Sequence, residues 1–290
     1  MRVLVTGAAG QVGAEVVAEL ERRSERMVKG PGLDVVAADR SRLDVSDRDE
    51  VLAAVTALEP DVVIHPAAWT AVDACEDDPD RAFAVNALGT RNVAEAARIV
   101  RAHVAYVSTD YVFDGTSIRS YNEWDTPHPL SVYGASKLGG ERELDPSATV
   151  VRTSWVCGRT GANMAKTVLR LAAASSGPLR FVDDQHGSPT IASGLAAKLV
   201  ELALARRQGV FHVTNAGATT WYGFAREVLA AAGLDPSRVE PIPTSALAPP
   251  LRAPRPEHSV LDNAALRLSG GELLPPWQES LALLVAALTG

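Results

Sequence analysis

The first thirteen residues constrain this chain more than any other segment. Arg2-Val3-Leu4-Val5-Thr6 is a short apolar run that leads straight into Gly7-Ala8-Ala9-Gly10-Gln11-Val12-Gly13. Such a run reads as a buried parallel strand. From Val12 to Arg22 the apolar positions Val12, Val16, Val17 and Leu20 recur at helical spacing. Strand, glycine loop and helix in direct succession open a βαβ unit. Glycine lets the loop turn tightly and approach a pyrophosphate. The helix then presents free N–H groups and the positive end of its dipole to the anion. The spacing Gly-x-x-Gly-x-x-Gly carries little weight alone; its place between strand and helix gives it meaning.

The alternation continues for about 150 residues. Strands are expected at Asp34–Ala38, Asp61–His65, Val104–Ser108 and Ala148–Arg152. Helices are expected at Asp49–Leu58, Pro79–Val100 and Ser131–Leu144, and Arg22–Gly32 reads as an exposed loop. The pattern predicts an α/β fold with a doubly wound parallel (Rossmann) sheet. After Trp155 the rhythm changes, with helices at Met164–Ala174, Ile191–Arg207 and Trp221–Ala232, strands at Leu179–Val182 and Val210–Val213, and a proline-rich stretch from Pro241 to Pro256. The reading is a dinucleotide-binding domain over residues 1–155 and a smaller C-terminal α/β substrate-binding lobe over 156–290. The chain is expected to recross to the first domain around 190–215.

Composition narrows the class. The chain has 290 residues, 47% of them hydrophobic, and a net charge of −7. No basic field recruits nucleic acid, and no apolar run reaches the roughly 20 residues that span a bilayer. Two cysteines, Cys75 and Cys157, exclude a disulfide framework. A cytoplasmic protein without membrane or nucleic-acid partners is expected.

Gly7, Gly10, Gln11, Val12 and Gly13 are the candidates for the cofactor phosphates. The second strand ends at Asp39-Arg40. An acidic side chain there accepts hydrogen bonds from an adenosine ribose, whereas the arginine can neutralise a 2′-phosphate, so NADPH and NADH both stay open. Asp44 and Val45 are candidates for the adenine end. Tyr133-Gly134-Ala135-Ser136-Lys137 places a phenol and an ammonium four residues apart on one helix face. A cation near a phenol lowers its pKa from about 10 and readies it for proton transfer. Ser108-Thr109-Asp110 ends the fourth strand, where ligands of such sheets bind, so Thr109 is a candidate partner of Tyr133.

These motifs resemble the extended short-chain dehydrogenase/reductases, with Ile64-His65-Pro66-Ala67-Ala68 and Asn86 in their expected order. Within that group they resemble the dTDP-4-dehydrorhamnose reductases. That resemblance is carried by Ser108-Thr109-Asp110-Tyr111-Val112-Phe113-Asp114-Gly115, Arg152-Thr153-Ser154-Trp155-Val156, Asp184-Gln185-His186-Gly187-Ser188-Pro189-Thr190, Thr219-Thr220-Trp221-Tyr222, Arg255-Pro256 and Pro276-Trp277-Gln278. It implies NAD(P)H-dependent reduction of the 4-keto group of a dTDP-sugar, with product dTDP-L-rhamnose or a related 6-deoxysugar. It also implies that Tyr133, Lys137 and Thr109 are catalytic, and that Pro66, Ala67, Ala68 and Val107 join the cofactor site. Thr109, Asp110, Trp155 and Arg255 would bind substrate. Some relatives dimerise through a magnesium site. Glu15 matches one of its positions but Ser193 replaces another, so no metal is expected, Glu15 reads as a surface helix residue, and a monomer or homodimer stays open. Two rivals remain. An epimerase or dehydratase of the same superfamily is disfavoured because Tyr111 stands where dehydratases carry glutamate. A non-catalytic dinucleotide-binding regulatory subunit is disfavoured because Thr109, Tyr133 and Lys137 are all retained.

Overall fold

The computed structural model describes residues 1–26 and 32–290. Six parallel strands form the central sheet. Five are β1 (Arg2–Thr6), β2 (Asp34–Ala38), β3 (Val62–His65), β4 (His103–Thr109) and β5 (Thr149–Thr153), and Gly209–His212 is the sixth. Their order in space is β2, β1, β3, β4, β5, Gly209–His212. The two-residue period of β1 sorts its side chains to opposite faces. Val3 and Val5 meet Val16 and Leu20 of α1 (Gln11–Arg26), whereas Leu4 meets Val51 and Val55 of α2 (Arg48–Leu58). Burial on both faces explains why these strands read as continuous apolar runs.

The direction of winding reverses between β1 and β3, which pair in parallel from Val3↔Val62 to Val5↔Ile64. Their carboxyl ends open a crevice at this switch point. The expected helix from Pro79 to Val100 is interrupted. After α3 (Val72–Asp77), α4 (Pro79–Phe83) leads into a π-helical turn, Ala84–Leu88, and then α5 (Gly89–Val100). The wide turn carries Asn86, whose side chain accepts from the Trp69 amide at 2.8 Å and donates to Ser136 Oγ at 2.9 Å. Such turns recur at functional sites. The loop expected over Arg22–Gly32 is helical as far as Arg26, and its remainder from Met27 to Pro31 falls outside the described residues.

The later segments build a second core. Here α7 (Met164–Ala174), α9 (Trp221–Ala231) and the terminal helix Trp277–Thr289 pack around Phe181, Phe224 and Leu281. Leu179–Val182 pairs with Val239–Ile242, so the proline-rich stretch begins as a strand before becoming irregular. Between these segments α8 (Ala192–Leu204) returns to the main sheet, where Leu195 and Leu199 join the α1 face. No helix of the described residues is long and apolar enough to cross a membrane.

Candidate active site

A cleft of about 770 Å³ lies over the carboxyl ends of β1, β3, β4 and β5, within the usual size of a ligand site. Its first wall is the glycine loop. Gly7 takes a positive φ of 58°, and a Cβ on Gly13 would stand 2.2 Å from the Gly7 carbonyl oxygen. Only glycine permits this approach of loop and helix. The cradle therefore fits a pyrophosphate, which the start of α1 faces. Pro66, Ala67, Ala68 and Val107 line the same cleft, as do Gln11, Val12, Asp39 and Arg40. The Gln11 side chain is already engaged, donating to the Ala162 carbonyl at 3.1 Å and accepting from Asn163 at 3.1 Å. This ties the loop to the segment before α7.

Asp39 accepts from the Ser41 amide at 2.9 Å and hydroxyl at 2.6 Å on one oxygen, which holds its carboxyl below the usual range. Arg40 is largely exposed and held loosely by Asp44 at 3.3 Å. Asp44 and Val45 are not among the lining residues. Asp44 is turned to Ser46 at 2.6 Å, and Val45 is buried in the α2 layer, its carbonyl accepting from Asn92.

The second wall is made by β4 and α6 (Val132–Arg142). Ser131 caps α6 by accepting from the Gly134 amide at 3.1 Å. A Cβ at Gly134 would fall 2.1 Å from the Tyr111 carbonyl oxygen. The glycine inside the Tyr-x-x-x-Lys motif thus lets α6 lie against the end of β4. Tyr133 and Thr109 consequently meet: burial raises the phenol's pKa, and its hydrogen bond with the Thr109 hydroxyl pulls the other way. Lys137 is buried, donates to the Val107 carbonyl at 2.7 Å and lies 4.1 Å from the Tyr106 ring centroid. Burial pushes its pKa down to about 7 against the opposing charge of Glu141. The expected lowering of the phenol by Lys137 is therefore not what this arrangement gives. The ammonium is turned to a carbonyl, and desolvation dominates the phenol.

Asp110 is fully enclosed. It accepts from Ser259 Oγ at 2.6 Å, Ser154 Oγ at 3.1 Å and Thr109 Oγ1 at 3.0 Å, and burial raises its pKa to about 6. Its oxygens are thus engaged by hydroxyls of three segments. Trp155 lines the cleft, but Arg255 does not. The Arg255 guanidinium pairs with Asp73 at 2.7 Å and is 6.0 Å from the Tyr111 ring. Glu15, expected on the surface, is 4% exposed and lies 3.4 Å from Arg159, because the segment after β5 packs over α1. The described residues contain no cluster of three or more metal-ligating side chains.

Sequence reasoning missed Trp221, Asn163 and Tyr111 as lining residues. Trp221 stood in a recognised motif, but nothing local to it points to the cleft.

A family model described as the RmlD substrate binding domain matches residues 1–289. The chain belongs to the RmlD substrate-binding family. Among RmlD relatives, it is 41% identical to a dTDP-4-dehydrorhamnose reductase of Streptomyces griseus, over 100% of this chain and 94% of that protein. It is 38% identical to a dTDP-4-keto-6-deoxy-D-glucose reductase of Streptomyces niveus, over 97% and 95%. A crystal structure of dTDP-4-dehydrorhamnose reductase from Bacillus anthracis in complex with NADP superposes with a TM-score of 0.89 at 35% identity, covering 99% of both chains.

Proposed function

We propose that this chain reduces the 4-keto group of a dTDP-4-keto-6-deoxyhexose with NADPH or NADH, converting dTDP-4-dehydro-L-rhamnose to dTDP-L-rhamnose. The observation that carries the reading is one cleft holding both a glycine cradle and the Thr109–Tyr133 pair. The named relatives, reductases of dTDP-4-keto sugars, supply the substrate class, and the Bacillus anthracis complex supports NADP.

Gly7, Gly10 and Gly13 with the start of α1 would hold the dinucleotide pyrophosphate, Asp39 and Arg40 its adenosine ribose, and Lys137 its nicotinamide ribose. The bound dinucleotide would supply hydride to C4 of the sugar. The protein's part is the proton. The Thr109 hydroxyl stands between Asp110, to which it donates at 3.0 Å, and the Tyr133 phenol, and so holds the phenol in the cleft. A phenol kept protonated by burial is a competent general acid toward an alkoxide, which is the stronger base. Asp110 acts by orienting Thr109, and Trp155 supplies an apolar wall for the sugar. The two cysteines are free and buried, which suits the cytoplasm.

The test is consumption of reduced dinucleotide in the presence of a dTDP-4-keto-6-deoxyhexose, with product stereochemistry read by NMR. Tyr133→Phe should cut kcat by on the order of 10²–10⁴ while dinucleotide affinity stays near wild type. Full activity in that variant would remove the assigned acid.

A further inference from the structure

Trp155 sits in the cleft wall under backbone strain. Its φ of 47° lies in the left-handed region, which a bulky residue adopts only where its surroundings over-determine it. Two neighbours do so. The indole of Trp221, the first residue of α9, stacks on that of Trp155 with centroids 3.5 Å apart and planes 8° from parallel. At the edge of the same indole, a Cβ on Gly187 would stand 2.4 Å from Cε2 of Trp155. These two jaws share one support. Thr219–Thr220 pairs with His186–Gly187, with Thr219 opposite Gly187. Thr220 also caps α9 and donates to Asp183 at 2.6 Å. Trp221 is braced in turn by an edge-to-face contact with Phe224 at 5.9 Å. Both indoles line the cleft.

We propose that Trp221 is a positioning residue which, together with Gly187, clamps Trp155 as a preorganised aromatic wall for the sugar of the substrate. The inference deepens the reductase reading and rests on it. A 6-deoxyhexose presents C–H bonds and a methyl group, which an aromatic face accepts. An indole already fixed by a stack and a steric stop loses no further side-chain freedom when substrate arrives. The clamp fixes a wall and carries no proton donor, so it should govern substrate affinity and leave the chemical step alone.

Two stacked indoles couple electronically and give a paired circular-dichroism band that single tryptophans lack, which reads the clamp without substrate. Wild type should show the band and Trp221→Leu should lose it. In Trp221→Leu the KM for the dTDP-4-keto sugar, and the calorimetric Kd for dTDP-L-rhamnose, should rise about tenfold, the size of one aromatic contact. Its kcat and dinucleotide affinity should stay near wild type. Trp221→Phe keeps a ring and should recover most of the KM. Gly187→Ala retains both indoles yet should weaken the band and raise KM in the same direction. An unchanged KM in Trp221→Leu, or loss of kcat and dinucleotide binding along with it, overturns the proposal. A wild type that shows the band but neither reduces the keto sugar nor binds dTDP-L-rhamnose overturns the reductase reading instead. The band in the variants then still decides whether Trp221 and Gly187 hold Trp155.

Discussion

Replacing Gly13 by alanine should disable the phosphate loop. The added Cβ would lie 2.2 Å from the Gly7 oxygen, 2.8 Å from Ala8 Cα and 2.9 Å from the Gly7 carbonyl carbon. Favourable contact between such atoms begins near about 3.5 Å, so loop or helix must give by roughly an ångström. Neither gives easily. The loop is tied down by the Ala8 amide donating to the Ala38 carbonyl at 3.1 Å and the Gly10 amide to the Gly7 carbonyl at 2.9 Å, and α1 is held in the core by Val16 and Leu20. Overpacking costs about 1–3 kcal/mol, and obstruction by backbone atoms puts this case at the upper end. If the loop opens to relieve it, dinucleotide affinity should fall roughly hundredfold, at about 1.4 kcal/mol per decade. If the loop holds, Tm should drop by roughly 5 °C, at about 1.6 °C per kcal/mol for a chain of this size. Fluorescence titration with NADPH and a thermal melt separate the two. Gly10→Ala is the control, since its Cβ meets only the Gly7 oxygen at 3.2 Å; its Tm should stay within about 2 °C. Wild-type affinity together with wild-type Tm in Gly13→Ala would refute the packing of loop against α1, and the phosphate cradle with it.

Two other buried groups make separate predictions. Arg152 and Glu141 form an ion pair at 2.7 Å with side chains 5% and 8% exposed, so Glu141→Ala strands a buried cation and should cost about 3–5 kcal/mol in urea unfolding. The double change Glu141→Leu with Arg152→Met should recover most of that, and a single-variant loss under about 1 kcal/mol would contradict the burial. Asp110 has its pKa raised by burial from 3.8 to about 6, so the folded state binds the extra proton between those values. Asp110 alone therefore contributes a loss of stability on the order of 3 kcal/mol as pH rises from about 4 to 6, set against the opposite contribution of the buried His65 and His212, whose pKa values burial lowers to about 3. Asp110→Asn should therefore gain stability relative to wild type as pH rises over that interval, and a wild-type-minus-variant difference that stays flat would contradict the assignment.

The parts of this molecule that were legible in the sequence are those whose cause is local. Burial on both faces leaves its mark in β1 as a run of consecutive apolar residues, and the Gly-x-x-Gly-x-x-Gly spacing is itself the turn that makes the cradle. Tyr133 and Lys137 share a helix face by spacing alone. The interruption at Ala84–Leu88 was not legible, because an alanine-rich run is compatible with either helix width. The cause lies elsewhere, in the Trp69 backbone and Ser136 that Asn86 must reach.

The remaining side-chain placements share that origin, and they show what residue type cannot reveal. The family resemblance implies a substrate role for Arg255, and its guanidinium pairs with Asp73, 182 positions away. Glu15 has the spacing of a surface residue on α1 until Arg159 covers it. Lys137 has the motif's spacing but not the motif's electrostatics. Its orientation is set by the Val107 carbonyl and the Tyr106 ring, and its charge is opposed by burial rather than shared with the phenol. Trp221 reaches Trp155 beside a two-residue ladder that joins Thr219–Thr220 to His186–Gly187, segments about 30 residues apart in the chain. Spacing thus nominates the chemical groups, while long-range packing decides where each side chain points and which protonation state it keeps. Substitutions at the packing partners, Glu141, Gly187 and Trp221, consequently test the site reading more sharply than removal of the groups that spacing had already nominated.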